Sequence, residues 1–368
     1  MRNMGCENVT LDDIAKATGF SKASVHRAIY NKDGISEETR QKILSAVDSL
    51  GYEMNYLASS LKRKALTFAY VGKKPSSSDD YHNMMLEGAR AAFRQFEGMN
   101  IFWKEFLFNG EGESLEGAEC ELLESIFRMD DINGLVVFPI NTGMKLMLSI
   151  QKLIGKGIPV VFVDDYFEDL DYIGSVSPYY FSVGSTSAEF LSKVTRPGKI
   201  LVSLGSGNSK GSYQNYEGFE AFLKDHCPGF SCQAIEDSFD KEGLIQEIVS
   251  QLDDSVVGLY SVCETNTPVI CEARIRSGRN DIHLLGSELS SKNRKYLENG
   301  ILDGVVDMNS YQQGYVAIRV LLENVLKGAS PSFRNMAVPM SIVLKSNLQF
   351  FGNNREYGIA ISNHSDFS

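Results

Sequence analysis

No apolar run in this 368-residue sequence approaches the roughly 20 residues needed to cross a bilayer as a helix, so a helical membrane protein is not expected. The opening residues, MRNMGCENVT, carry no apolar h-region of the secretory kind, which makes the cytoplasm the expected compartment. Six cysteines are present (Cys6, Cys120, Cys227, Cys232, Cys263 and Cys271), but none stands in a CxxC pair or beside paired histidines. Neither a metal site nor a disulfide framework is expected from them, and reduced, packed thiols are. Equally missing are a GxSxG elbow, an HExxH pair and a GxxxxGK loop; Gly205 and Gly207 form only a fragment of a GxGxxG turn. Asp164 and Asp165 are adjacent carboxylates, yet neighbours at a strand end point opposite ways and do not share a catalytic centre. The expectation is a non-enzyme without cofactor. The tail beyond residue 353 lacks leucine heptads, so a tetramerising coiled coil is not expected.

What is present is the composition of an ordinary globular protein, 43% hydrophobic and 23% charged. The length suits a small domain of about 60 residues followed by a two-lobed body. The net charge of −11 is unevenly spread: residues 1–66 hold ten Lys and Arg against eight acids, a local +2 that leaves −13 for the remainder. A basic end keeps the counterion-release drive toward DNA, while an acidic body limits indiscriminate phosphate binding.

Residues 10–29, TLDDIAKATGFSKASVHRAI, read as two short helices around a tight turn. Thr10 with Asp13 makes a capping-box start, Leu11, Ile14 and Ala15 form one apolar face, and Gly19 supplies the conformation that ends the helix. Ser21 caps a second helix whose Val25, Ala28 and Ile29 face inward, leaving Lys22, Ala23, Ser24, His26 and Arg27 outward. A third helix starts at Ser36, carries Glu37 and Glu38 in its first turn, buries Ile43, Val47 and Leu50, and stops at Gly51. This is helix-turn-helix geometry, in which the second helix enters the major groove. Periodicity alone leaves open a plain three-helix bundle with Lys22 and Arg27 on a solvated face.

The string VTLDDIAKATGFSKASVHRAIYNKDGISEETRQKILSAVDSLGYEMNYLASSLKRK, residues 9–64, resembles the headpiece of the LacI/GalR family without a gap. The resemblance implies that Lys22 and Ala23 choose the operator sequence, and that Thr10, Ser21, Ser24 and Arg27 meet phosphates or neighbouring bases. His26 and Tyr30 stand where the family usually has serine and asparagine. It further implies that NYLASSLKRK is a hinge helix folding on DNA, with Asn55 at its start, Leu61 as a minor-groove wedge and Ala58 as its small partner. Without the resemblance, Leu57 and Leu61 are an i, i+4 pair in a linker. The implied organisation is a headpiece over 8–54, a hinge helix and linker over 55–66, a body over 67–358 and a tail over 359–368.

From Thr67 onward strands and helices alternate. FAYV (68–71), LVVF (135–138), VVFV (160–163), KILVSL (199–204), VGLY (257–260) and 283–285 are buried parallel-strand runs, with helical stretches such as 83–96 and 182–193 between them. Alternation of this kind predicts an α/β fold with doubly wound parallel sheets, here two lobes, one near 67–166 and 302–328, the other near 167–301 and 329–358. Ligands of such sheets sit beyond the carboxyl ends of the strands. The body resembles the sugar-binding periplasmic-protein fold of ribose type. By that likeness Tyr81, His82, Asn141, Asp164, Asn266, Glu288, Asn309 and Gln312, with Met308, line a cleft for a small sugar or polyol effector. Asn215 occupies the position of a family arginine and Tyr179 that of a common aspartate, which alters the hydroxyl pattern held. Turn and cap chemistry is the alternative for each loop polar. The resemblance as a whole implies a cytoplasmic homodimer, without membrane attachment, that represses carbohydrate genes by binding double-stranded, pseudo-palindromic operator DNA under allosteric control. The alternatives are an architectural DNA-binding protein with a ligand-free body and a plain solute receptor.

Overall fold

The computed structural model describes residues 9–29, 33–50, 64–77, 80–110, 114–205, 209–236 and 240–351. Three helices come first: α1 (Leu11–Thr18), α2 (Lys22–Ile29) and α3 (Glu37–Leu50). They enclose a small core of Ile14, Val25, Ala28, Ile29 and Ile43, flanked by Leu11, Ala15, Phe20 and Val47. Leu50 departs from expectation. It sits on the last turn of α3, beyond the reach of α1 and α2, and is 39% exposed.

The body contains two six-stranded sheets. The first has the order β11-β5-β4-β3-β1-β2, formed by β1 (Leu66–Lys73), β2 (Ile101–Phe108), β3 (Ile132–Val137), β4 (Val160–Val163), β5 (Gly174–Pro178) and β11 (Asn335–Val338). The second has the order β12-β10-β9-β8-β6-β7, from β6 (Lys199–Ser203), β7 (Ser231–Ile235), β8 (Val256–Ser261), β9 (His283–Ser287), β10 (Gly304–Asp307) and β12 (Ser341–Val343). All pairings are parallel except β10 with β12. Helices α4 (Tyr81–Arg94), α5 (Ser114–Phe127), α6 (Met144–Gly155) and α12 (Ser310–Lys327) cover the first sheet; α7 (Tyr180–Val194), α8 (Lys210–His226), α9 (Lys241–Gln251), α10 (Thr267–Ser277) and α11 (Ser291–Glu298) cover the second. Strands sandwiched on both faces read as continuous apolar runs, and β4 and β8 are buried from end to end.

The chain passes between lobes three times, and these passages correct the expected boundaries. β5 pairs with β4, so the first lobe extends to Pro178 rather than ending near 166. β10 pairs with β9, which carries the second lobe through Asp307 instead of 301. After α12 the chain adds β11 to the first sheet before β12 returns to the second. The strand expected from Thr67 begins at Leu66, opposite Ile101.

Each lobe contains one pair of helices in unusually close contact. A Cβ at Gly88 of α4 would lie 1.9 Å from the Tyr311 carbonyl oxygen, and one at Gly314 of α12 would lie 1.9 Å from that of Met85. In the other lobe a Cβ at Gly184 of α7 would lie 1.7 Å from the Asn215 carbonyl oxygen, and one at Gly218 of α8 would lie 2.0 Å from that of Phe181. Reciprocal glycines let the backbones touch, which holds α4 to α12 and α7 to α8. Among the described residues no helix is long and apolar enough to cross a membrane.

Candidate functional site

In the headpiece the caps form as the sequence predicts. The Asp13 amide donates to Thr10 Oγ1 at 3.4 Å, and the Thr10 amide returns a bond to Asp13 Oδ2 at 2.9 Å. The Thr10 hydroxyl, which donates to Asp13 Oδ2 at 2.6 Å, and then the Thr10 amide hold the Asp13 carboxyl below its ordinary range. Ser21 Oγ accepts from the Ser24 amide, Ser36 Oγ accepts from the Thr39 amide, and Gly19 ends α1 at φ 71°. Ser21, Lys22, Ala23 and Arg27 are exposed, while Ser24 and His26 are half-buried. The Lys22 ammonium pairs with Asp12 at 2.7 Å, an exposed contact that costs little to break. Arg40, which sequence reasoning passed over, donates to the carbonyls of Arg27 and Ala28 and so closes the C-terminal end of α2. Asn55, Ala58 and Leu61 lie outside the described residues.

In the body, polar groups converge where the carboxyl ends of the two sets of strands meet. Asp164 follows β4 with φ 73°, and its amide donates to the Val176 carbonyl. Glu288 follows β9 with φ 57°, and its amide donates to the Val306 carbonyl. The two acids therefore occupy equivalent points of the two lobes, each in the left-handed region that non-glycine residues avoid. Asp164 Oδ1 accepts the Tyr81 hydroxyl at 2.8 Å and also the Tyr180 hydroxyl from the other lobe. Burial raises the Asp164 carboxyl above its ordinary range against the pull of these two hydroxyls. Burial beside Asp164 likewise lifts both tyrosines far above the ordinary phenol value. Glu288 Oε1 accepts the Met308 amide at 2.9 Å.

Two further contacts join the lobes through helix N-termini. Glu264, on a short 3-10 turn after β8, accepts the first amide of α4, that of Tyr81, at 2.8 Å. In the opposite direction the amides of Lys210 and Gly211, at the start of α8, act on the Asp165 carboxyl and lower it. Each carboxylate complements the positive end of a helix in the other lobe. Asp165 is pushed up to about 7, by burial first and then by the neighbouring Asp164 charge. The different partners of Asp164 and Asp165 agree with the divergence expected from the sequence.

Of the expected effector residues, Tyr81, His82, Asp164 and Glu288 come together in this crevice. The His82 ring packs edge-on against Phe138 and Tyr81, its Nδ1 is buried without a hydrogen-bond partner, and burial followed by the Lys73 charge lowers it to about 4. Gln313, the neighbour of the expected Gln312, reaches the same crevice. One residue turns a helix by about 100°, and it is Gln313 whose Oε1 accepts from Tyr81 and whose Nε2 donates to the Met308 carbonyl. Asn141 closes a turn onto the Gly143 amide. Asn215 is buried and accepts from the Tyr260 hydroxyl at 3.1 Å, so it does not replace an arginine in the crevice. Asn266 bonds Ser203 and Lys241, and Asn309, at φ 57°, caps α12 at the passage between lobes. Tyr179 caps α7 without a side-chain bond. Tyr180, Glu264 and Gln313 were not picked out from sequence.

Residues 68–330 match the periplasmic binding protein domain, and residues 10–55 match the lacI family of bacterial regulatory proteins. The chain belongs to the periplasmic binding protein domain family and carries a lacI-family regulatory headpiece. Its similarity to the ribose operon repressor of Bacillus subtilis (strain 168) is 23% identity over 335 residues, covering 86% of this chain and 92% of that one. The "Probable HTH-type transcriptional regulator EndR" of Paenibacillus polymyxa is 29% identical over 162 residues, 44% of each chain, so the chain spans less than half the length of EndR. The solved arabinose-binding protein AraP of Geobacillus stearothermophilus superposes with a TM-score of 0.66 at 17% identity, covering 78% of this chain and 99% of that one. At that identity the likeness is one of fold.

Proposed function

We propose that this lacI-family chain is a cytoplasmic, dimeric repressor of carbohydrate genes whose grip on operator DNA is set by a small saccharide or polyol held between its lobes. The observation that carries the proposal is the union in one chain of a capped helix-turn-helix headpiece with a crevice where hydroxyl, amide and carboxylate groups of both lobes converge. Lys22 and Ala23 read base edges, and Thr10, Ser21, Ser24, His26 and Arg27 meet phosphates or flanking bases. Asn55, Ala58 and Leu61 supply the hinge. Tyr81, His82, Asp164, Glu288 and Gln313 form the effector wall. Pairing of headpieces is needed because one small reader covers a half-site only. Effector binding alters operator affinity by favouring one arrangement of the lobes over another.

The test is selection of bound sites from a random duplex pool by the full chain, repeated with Lys22→Ala. The expected result is an enriched inverted repeat that the variant no longer enriches. Recovery of no preferred sequence would favour the alternative of an architectural DNA-binding protein. A thermal-shift panel of sugars on the full chain tests the sensor half, since a ligand at about 100 times its Kd adds roughly 2.7 kcal/mol.

A further inference from the structure

We propose that the first lobe holds a second binding site, at the end remote from the crevice, for a free α-amino acid. A cavity of about 510 Å3 opens there, with Pro159, Val160, Ile173 and Pro331 among its walls. Val160 begins β4 and Ile173 precedes β5. These strands are parallel, so the crevice lies at their carboxyl ends and the cavity at their amino ends. Its volume is in the range of sites that take small molecules.

Among the described residues, the charges that line this cavity are those of Arg334 and Asp171. The Arg334 guanidinium lies over the Tyr172 ring, 3.9 Å from its centre, and Nη2 donates to the Leu170 carbonyl. Tyr172 is itself fixed: it is buried, packs edge-on against Phe162 and donates its hydroxyl to Asn335 Oδ1 at 2.9 Å. A guanidinium stacked and tied in this way is a preorganised fork whose other N–H groups stay open to a carboxylate. Leu170 and Tyr172 flank Asp171 in the chain, so Arg334 is anchored on both neighbours of the residue that carries the opposite charge. Even so the two form no ion pair, and the Asp171 carboxylate has no hydrogen-bond partner among the described residues.

Opposite charges that line one cavity without meeting select the ligand. A simple anion on Arg334 is repelled by Asp171, and a simple cation at Asp171 is repelled by Arg334. A zwitterion satisfies both, because hydrogen bonds of about 2.9 Å at each of its charged groups bridge partners that stand too far apart to pair directly. Asn324, in the last turn of α12, also lines the cavity, and the carbonyl end of that helix favours an ammonium. The proline, valine and isoleucine walls suit an apolar side chain.

The experiment is titration calorimetry of the full chain with L-valine, L-leucine, L-isoleucine, L-methionine and L-phenylalanine. Each is compared with the carboxylic acid that lacks its amino group and with the amine that lacks its carboxyl group. At least one amino acid should bind roughly tenfold or more tighter than both counterparts, since each of these forfeits one charge-assisted pairing. Asp171→Asn should bring that amino acid down to the level of its carboxylic acid, and Arg334→Gln to the level of its amine. Asp171 is exposed and bonds nothing, so its variant keeps the fold even if loss of the Arg334 anchor disturbs the other. No binding by any of the five, equal binding of the amino acid and either counterpart, or a preference untouched in either variant overturns the proposal.

Discussion

Glu119 lies on α5 with no exposed surface; its Oε2 accepts the amide of Ile140, beside the cleft loop, and its Oε1 has no partner. Burial, partly offset by the Ile140 amide, pushes this carboxyl up from 4.5 to about 8. A folded-state value above the unfolded one means that the contribution to stability is whole below pH 4.5 and is lost as the pH rises to about 8. At about 1.4 kcal/mol per unit, Glu119 alone removes on the order of 4 kcal/mol between pH 5 and pH 9. Glu119→Gln keeps an acceptor for Ile140 and has no proton to lose, so its stability should lack that slope. The single tryptophan, Trp103 on β2, sits in the same lobe and reports its unfolding by fluorescence in urea. Other buried acids titrate equally in both proteins and cancel in the difference. The variant should gain on the wild type by roughly 4 kcal/mol across that range, and parallel pH profiles would refute the assignment of a neutral, buried Glu119.

Gly88→Ala should lower stability by roughly 1–3 kcal/mol in thermal unfolding, because the new methyl group meets the Tyr311 carbonyl and α4 must move from α12. Gln313→Ala strips partners from Tyr81 and Met308 and should cost about 1–3 kcal/mol, whereas Gln312→Ala should stay within about 0.5 kcal/mol of wild type; equal effects would contradict the role given to Gln313. Asp12→Asn frees Lys22 from its exposed ion pair and should tighten operator binding by roughly two- to fivefold in a mobility-shift titration, and a weakened complex would show that the pair positions Lys22 for the base edge.

The layers of the body were legible because strands buried on both faces leave apolar runs: FAYV, VVFV and VGLY fall within β1, β4 and β8, and LVVF runs one residue past β3. β2 was not, since IFWKEFLF lies at an edge with most side chains only half-covered, and its charges interrupt the pattern. β5, β11 and β12 are short, and where they pair rather than what they contain decides their lobe; hence the misplaced boundaries near 166 and 302. In the site, Asp164 and Glu288 could be read because each ends a recognisable strand. Tyr180 and Glu264 could not, since their roles exist only when the other lobe is in place. Asn215, inside α8, and Asn266, on the turn after β8, show the converse case, polar side chains that bond within their own lobe.

The groups that hold the lobes together are neighbours of the groups assigned to the effector, and this is what makes a switch physically plausible in a molecule with rigid lobes. The Tyr81 amide donates to Glu264 across the gap, and its hydroxyl donates to Asp164 within its own lobe. Asp164 in turn takes the Tyr180 hydroxyl from the opposite lobe, and the next residue, Asp165, takes the N-terminus of α8. Because reciprocal glycines lock α4 to α12 and α7 to α8, these side chains cannot adjust independently of the lobes that carry them. A ligand that binds Asp164 must either share it with the tyrosine hydroxyls or displace them. Sharing strengthens the closed arrangement; displacing Tyr180 removes one of its ties. The two cases predict opposite signs for the coupling between effector and operator, and Tyr180→Phe separates them. If the ligand displaces this hydroxyl, the variant should bind effector more tightly than wild type and show weaker coupling; if the ligand shares Asp164 with it, effector affinity should fall.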